Sequence, residues 1–544
     1  MQTNVTNVSG NIVDVANAEI YPGTIKISNG RIIEIIRNRK TSDIYITPGF
    51  VDSHIHIESS MLTPSEFARA AVVHGTIAVV SDPHEIANVM GIEGVKYMIE
   101  DGKASPMKFY FSAPSCVPAT PFETSGAILD NKKVEQLLKL DQIKYLGEVM
   151  NFPGVLHDDP DIMGKIHCAK KYGKLIDGHA PGLRGVDLKK YANSGISTNH
   201  ECLTRDEALE DLQAGIRVQI RKGSAADIFE SCLSIIEKHY NFLMFCSDDK
   251  HPDDLVRSHL NEMVKGSINH GIDIIKVFKV ASANPILHYG LDVGMLRVGD
   301  CADFLEIDNL KNFNILKTYI NGEIVACDQK PLMSKRQSVI INNFKAGKKN
   351  ITDFAFPGTT DIINVIVAID GQLITDKLAV KPKTKNGNAV SDAERDILKI
   401  TVVNRYKDTR PAVGFINNFG LKEGAIASSV AHDSHNIIAV GVNDEELCKV
   451  VNRIIEEQGG ICAVSGNKTI ILPLPIAGIM SNEDYLTVAR KYTKINEMVK
   501  SMGSALRSPF MTLSFMSLPV IPKLKLTDRG LFNVEKFEYL NGSL

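Results

Sequence analysis

Apolar and polar residues alternate in short, β-branched runs at the start of the chain. Asn11-Ile12-Val13-Asp14-Val15, Gly23-Thr24-Ile25-Lys26-Ile27 and Arg31-Ile32-Ile33-Glu34-Ile35-Ile36 each read as a strand, and Asn29-Gly30 between the last two is a hairpin turn signal. From residue 47 the pattern changes to an apolar run, a loop and a helix-capable spacer, repeated. The apolar runs fall at Gly49 to His56, Thr76 to Val80, Lys108 to Phe111, Ile143 to Glu148, Leu175 to His179, Ile196 to His200, Ile216 to Ile220 and Phe242 to Asp248. Eight strands alternating with helices predict an α/β fold, a distorted (β/α)8 barrel. Thr63-Pro64-Ser65-Glu66 predicts a capping box with proline at the first helical position.

Short strands return after about residue 285, in Gly294 to Leu305 and Lys317 to Val325, with Asn321-Gly322 as a second hairpin signal. The first strands are too few to bury both faces alone. Pairing with the later set predicts a discontinuous β domain of residues 1–46 plus 286–340, beside a barrel of residues 47–285. Residues 341–350 read as a linker, and the basic run Lys345 to Lys349 as a solvated part of it. Residues 341–544 read as a C-terminal α+β domain. Its strands include Ile363 to Ile369 and Leu398 to Val403, its helices lie near 444–457 and 482–501, and Lys381 to Gly387 is an exposed loop.

A chain of 544 residues exceeds one ordinary core. Hydrophobic residues at 44% and charged residues at 23% are a common globular balance. A net charge of −3 gives no reason to expect nucleic acid or an anionic membrane as partner. The nine cysteines form no Cys-x-x-Cys pair, which predicts reduced thiols in a cytoplasmic protein. Met1-Gln2-Thr3-Asn4-Val5 shows no basic region followed by an apolar run, so no signal peptide is expected, and no apolar stretch is long enough to span a membrane.

The chemistry gathers at predicted strand ends. Thr47-Pro48-Gly49-Phe50-Val51-Asp52-Ser53-His54-Ile55-His56 puts two imidazoles on one face of strand one. Glu148 ends strand four, His179 strand five, His200 strand six and Asp248 strand eight. Strand C-termini of such a barrel open on one mouth, so four imidazoles and two carboxylates share a cavity that suits two divalent transition ions.

Pro48 to His56 resembles the amidohydrolase superfamily. Ile57-Glu58-Ser59-Ser60-Met61, Ser81-Asp82-Pro83-His84-Glu85-Ile86-Ala87-Asn88, Gly147-Glu148-Val149-Met150-Asn151, Asp177-Gly178-His179-Ala180-Pro181-Gly182, Ser247-Asp248-Asp249 and Ala431-His432-Asp433-Ser434-His435-Asn436 resemble the bacterial-type adenine deaminases within it. The resemblance runs over nearly the whole chain. It implies hydrolysis of adenine to hypoxanthine and ammonia in purine salvage, by metal-activated hydroxide attack at C6. It implies a binuclear centre, Mn2+ first, with Fe2+ and then Zn2+ behind it. His54, His56, His179 and His200 would be ligands, Glu148 the bridging carboxylate, and Asp248 a ligand that also takes the proton of the attacking water. Asp249 replaces Asp248 if strand eight ends one residue later. Asp82, His84 and Glu85, after strand two, either bind substrate, support the metals or form an Asx turn with Pro83. His432, Asp433 and His435 either reach the site from the third domain or form a structural turn. His74, His157, His167, His239 and His270 are surface or core histidines.

Related chemistries are set aside by residue type. The His-x-Glu plus Pro-Cys-x-x-Cys signature of cytidine-type zinc deaminases is absent. Glu148 stands where a carbamylated lysine would bridge in other members, and Ile57, Glu58 and Ser59 follow His-x-His where acid-binding members carry arginine. A neutral purine base fits this better than dihydroorotate or a hydantoin-type acid. The alternatives are another cyclic amidine or amide hydrolase of the superfamily, and a metal-free scaffold acting only through partners. Homo-oligomerisation is expected of a barrel with added domains.

Overall fold

The computed structural model describes residues 5–224, 226–358 and 362–540. Residues 1–4, part of the stretch read for a signal peptide, lie outside them. The first sheet has eight strands, in the order 330–331, 323–327, 315–320, 304–307, 45–48, 6–14, 19–28 and 31–37. The early and late segments meet where Tyr45–Pro48 pairs antiparallel with Phe304–Ile307 and parallel with Thr6–Asp14. Both Asn-Gly turns have the positive φ pair of a type I′ hairpin, 49° and 75° at Asn29 and Gly30, and 49° and 77° at Asn321 and Gly322. Of the run from Gly294 to Leu305, only Phe304 and Leu305 are in a strand. The backbone before them is held by side chains instead: Asp300 accepts from the Met295 and Arg297 amides, and Asp303 from that of Gly294.

The barrel strands are Phe50–Ile55, Thr76–Ser81, Lys108–Ala113, Ile143–Val149, Leu175–Gly178, Thr198–Asn199, Arg217–Arg221 and Leu243–Cys246. The first five form one parallel sheet and the last three another. A few hydrogen bonds close the two gaps: Ser197 N and Oγ both donate to Ile176 O at 2.9 Å, and Asp248 N donates to His54 O at 3.0 Å while His56 N donates back to Asp248 O at 3.4 Å. The sixth strand is shorter than its apolar pattern predicts, because pairing stops at Asn199 and His200 already turns into the mouth. Strands one and two are buried at every position, as expected of a parallel sheet covered on both faces.

The predicted capping box at Thr63 does not form, although the helix Pro64–Ala71 begins there. Glu66 accepts instead from Arg69 and from the Tyr485 amide, and Asp101 accepts from the Ser65 amide. Tertiary partners have replaced the local cap.

The third region is built on an eight-stranded sheet, ordered 375–380, 363–368, 412–417, 397–403, 437–441, 425–428, 460–465 and 468–473. Helix Asp444–Glu457 packs on it, capped where the Asn443 side chain accepts from Glu446 N at 2.8 Å. Helix Tyr485–Ser501 begins at Asp484, which accepts from Thr487 N at 3.1 Å. Two expectations, one for the linker and one for the exposed loop, need correction. Lys349 is buried, bonded to Asp408 and to the Thr409 carbonyl, because the segment lies against the third region. Within Lys381 to Gly387 the exposed residues Lys383–Lys385 form a strand paired with Asn388–Val390, since Asn386 and Gly387 turn the chain at φ 51° and 77°. All nine cysteines are free, and no described helix is long and apolar enough to cross a membrane.

Candidate metal and substrate site

The C-terminal ends of barrel strands one, four, five, six and eight deliver His54, His56, Glu148, His179, His200 and Asp248 to one point, and all six are buried. His54 Nε2 and His56 Nε2 face each other at 3.1 Å. His56 Nδ1 lies 3.0 Å from the Asp82 carbonyl, which needs a donor there and aims Nε2 at the cluster. His56 Nε2 is also 3.2 Å from Asp248 Oδ1 and 3.5 Å from Glu148 Oε1. Glu148 divides the cluster. Its Oε2 faces His179 Nδ1 at 2.9 Å and His200 Nε2 at 3.1 Å, while Oε1 faces His56 and His84.

The electrostatics describe a cradle that seeks positive charge. Burial, with His200 and His56 beside it, holds the His54 pKa well below its usual value. Burial and His84 also press on His56, but Asp248, Glu148 and Asp249 outweigh them and raise it well above. Burial would raise Glu148, yet His179 and His200 pull it well below the carboxylate range. Lone pairs and carboxylate oxygens aimed at common points suit divalent cations bound by nitrogen and oxygen. Three-residue sets that could each hold an ion include His54, Glu148 and His200; His54, His56 and Asp248; and His56, His84 and Glu148.

Asp248 sits at φ 52°, in the left-handed region. Arg221 Nη1 donates to its Oδ2 at 2.6 Å and also to Glu201 Oε1, while Arg221 Nη2 donates to Glu201 Oε2 at 3.1 Å. The guanidinium outweighs burial and keeps the Asp248 carboxyl well below its ordinary pKa. Asp249 also lines the cavity and accepts from Ser59 Oγ, and burial next to Asp248 raises its pKa.

Asp82 does not form a simple Asx turn. Its Oδ1 accepts from Ser112 Oγ at 2.6 Å and its Oδ2 from Glu148 N at 3.0 Å, which sets the end of strand four. Gly147 makes room for it, since a Cβ there would meet Asp82 Oδ2 at 2.3 Å. Gly147→Ala is therefore expected to displace Asp82 and the Glu148 backbone and to weaken divalent-cation binding about 10- to 100-fold, measured by metal titration of the folded protein.

His84 opens the helix His84–Met90 and lies against His56, with ring centroids 4.5 Å apart. Glu85 is bonded by both His432 Nδ1 and His435 Nε2 from the third region. Asp433 lies beside His84, with Oδ2 3.9 Å from Nε2 and no hydrogen-bond partner for that oxygen. Its pKa is pushed up to about 7 by burial. The candidates from residues 82–85 and 432–435 thus meet on one side of the cluster. Of the histidines left aside, His157, His167 and His270 are exposed, while His74 is half-buried and its desolvation holds its pKa down to about 3.

Sequence reading missed Arg221 and the role of Glu201. Arg221 is one residue beyond the predicted end of strand seven, so the strand-end rule could have found it. It also missed the apolar residues Leu373, Phe515, Leu518 and Ile521, which line the cavity beside the charged groups. No motif marks them.

Residues 45–325 match the amidohydrolase family model, and residues 372–538 match the adenine deaminase C-terminal domain. The chain is 52% identical to an adenine deaminase of Sulfurovum sp. (strain NBC37-1), over 98% of this chain and 99% of that one. It is 50% identical to the adenine deaminase of Methanosarcina mazei, over 98% of each chain. It is also 50% identical to that of Borreliella burgdorferi, over 98% of this chain and 99% of the relative.

Proposed function

Because the chain belongs to the amidohydrolase family, and to the adenine deaminases within it, we propose that it hydrolyses adenine to hypoxanthine and ammonia. The observation that carries the reading is the position of Glu148, with one oxygen toward His56 and the other toward His179 and His200. A carboxylate so placed would help to hold two cations. His54 and His56 would hold one ion and His179 and His200 the other, with Asp248 on the His56 side. Divalent cations held there, Mn2+ by preference, supply a strong nucleophile from water at neutral pH.

The chain's own groups do the rest. Arg221 occupies Asp248 Oδ2 and leaves Oδ1 facing the cluster. Oδ1 accepts the first proton of the attacking water and delivers it to a ring nitrogen, and the proton left on the new C6 hydroxyl then passes by the same carboxylate to the departing amine. Attack at C6 makes a tetrahedral centre, and loss of ammonia completes the reaction. Among the described residues lining the cavity there is no arginine or lysine to clamp an anion, which favours a neutral base over a carboxylate substrate. The division into residues 1–46 plus 286–340, 47–285 and 341–544, a cytoplasmic setting, purine salvage and a homo-oligomeric state complete the proposal.

Protein loaded with Mn2+ is expected to hold about two ions per chain, and to release ammonia from adenine but not from adenosine or cytosine. Chelation should stop the release and lower the melting temperature, and both should return with Mn2+. About one ion or fewer per fully active chain would refute the binuclear reading.

A further inference from the structure

Lys525 lies in the strand Leu524–Thr527 with its side chain wholly buried. It has no ion-pair partner among the described residues. Its Nζ instead donates to two backbone carbonyls, that of Leu373 at 2.8 Å and that of Phe515 at 2.9 Å. A lysine buried without a carboxylate is costly to keep, and burial pulls its pKa down to about 7.

The two carbonyls belong to residues whose side chains line the candidate site. Leu373 and Phe515, with Leu518 and Ile521, form the apolar wall of a cavity otherwise lined mainly by histidines and acids. They come from separate stretches of the chain. One precedes the strand Thr375–Val380, and the other follows helix Pro509–Ser514. Strand Leu524–Thr527 lies next to both, since Thr375 Oγ1 donates to Leu524 O at 2.9 Å and Thr375 N to Pro522 O at 2.9 Å. Phe515 is also stacked on His432, with ring centroids 4.2 Å apart and planes at 18°. A neutral planar base needs such a wall. Its polar edges can meet the charged side of the cavity, but its face gains most from stacking on apolar and aromatic groups.

We propose that Lys525 is a positioning residue for substrate: by tying the backbones of Leu373 and Phe515 together, it sets the apolar wall on which adenine stacks while C6 faces the histidine and carboxylate cluster. The proposal rests on the adenine reading above. Lys525 touches neither the cluster nor the cavity, so its effect belongs in substrate binding and not in chemistry or metal loading.

The test is steady-state kinetics of ammonia release by the Mn2+-loaded, full-length protein. Lys525→Met keeps the stem but leaves both carbonyls without their donor. KM for adenine is expected to rise about tenfold, with kcat changed less than about threefold and metal content unchanged. Phe515→Ala should shift KM in the same direction. The double variant should fall short of the product of the two single effects, because both act on one wall. Lys525→Gln, which keeps one donor group, is measured beside Lys525→Met and should lie between it and the wild type. A wild-type KM in either folded Lys525 variant overturns the proposal, as does a fall confined to kcat. Failure of both variants to fold also overturns it, since the lysine would then serve the fold alone. Wild-type protein that releases no ammonia from adenine in the same assay would instead refute the adenine reading.

Discussion

Asp248→Asn lowers ammonia release from adenine by about 10²- to 10⁴-fold, the range lost with a proton-transfer group, while the protein remains folded. Oδ1 of Asp248 faces His56, and Oδ2 is held by Arg221. An amide of the same size preserves the shape but removes the charge and the proton-accepting oxygen. Arg221 keeps its bidentate pair with Glu201, so the buried guanidinium is not left without a partner. His54→Ala is expected to be equally inactive for a different reason. It removes a donor that faces His56 at 3.1 Å and Glu148 at 3.9 Å, so bound metal should fall from about two ions toward one. Metal analysis and a thermal melt on each variant separate the two causes. Asp249→Asn is the control. Its carboxylate accepts from Ser59 at the edge of the cluster, and its loss should cost far less turnover than that of Asp248. Near-normal activity in Asp248→Asn or His54→Ala refutes the assigned roles, and the larger loss in Asp249→Asn would transfer the proton-accepting role to that residue.

The features legible in the sequence were those written over short distances. Barrel strands show as apolar runs because both their faces are covered, and Asn-Gly marks the two hairpins because few other pairs accept positive φ twice. The strand-end rule gathered His54, Glu148, His179, His200 and Asp248 because barrel topology makes the C-terminal ends converge whatever the spacers hold. Long-range contacts were not legible. Glu85 and His432 meet across 347 positions, and nothing near either residue specifies the other. Thr63 to Glu66 has the composition of a capping box, yet Glu66 is taken by Arg69 and Tyr485. A local motif yields when a tertiary partner offers a better-buried bond. Lys349 and Lys525 show the same limit, since a lysine read from composition is a solvated charge until the fold surrounds it with carbonyls. The apolar wall was hidden for a related reason: Phe515 and Leu518 have the spacing of any core helix.

Stability of the joint between barrel and third region should fall as pH rises from about 6.5 to about 9, by on the order of 3 kcal/mol, through His432. Glu85 accepts from two imidazoles that are not equivalent. His435 Nδ1 accepts from Ala431 N at 3.2 Å, so its Nε2 carries the proton given to Glu85 and the ring is neutral. Burial holds its pKa down to about 4, although Glu85 opposes the shift. His432 is the charged partner: burial lowers its pKa, but Glu85 and Asp249 outweigh this and bring it up to about 9. A histidine with a folded pKa above its unfolded value of 6.5 stabilises fully below that value and loses the contribution as pH climbs through the folded one. Glu85, held well below the carboxylate range, stays ionised throughout. Other groups shape the raw curve. Asp433 and Glu58, pushed up to about 7, and Asp177, to about 8, also weaken the fold as they ionise, whereas Lys525, pulled down to about 7, strengthens it as pH rises. The measurement is therefore a difference: unfolding free energy of the wild type minus that of His432→Gln, from denaturant melts across this range. That difference should shrink with rising pH and flatten above about 9. A difference independent of pH would show that His432 is neutral in the folded protein, and that Glu85 holds the third region with uncharged donors only.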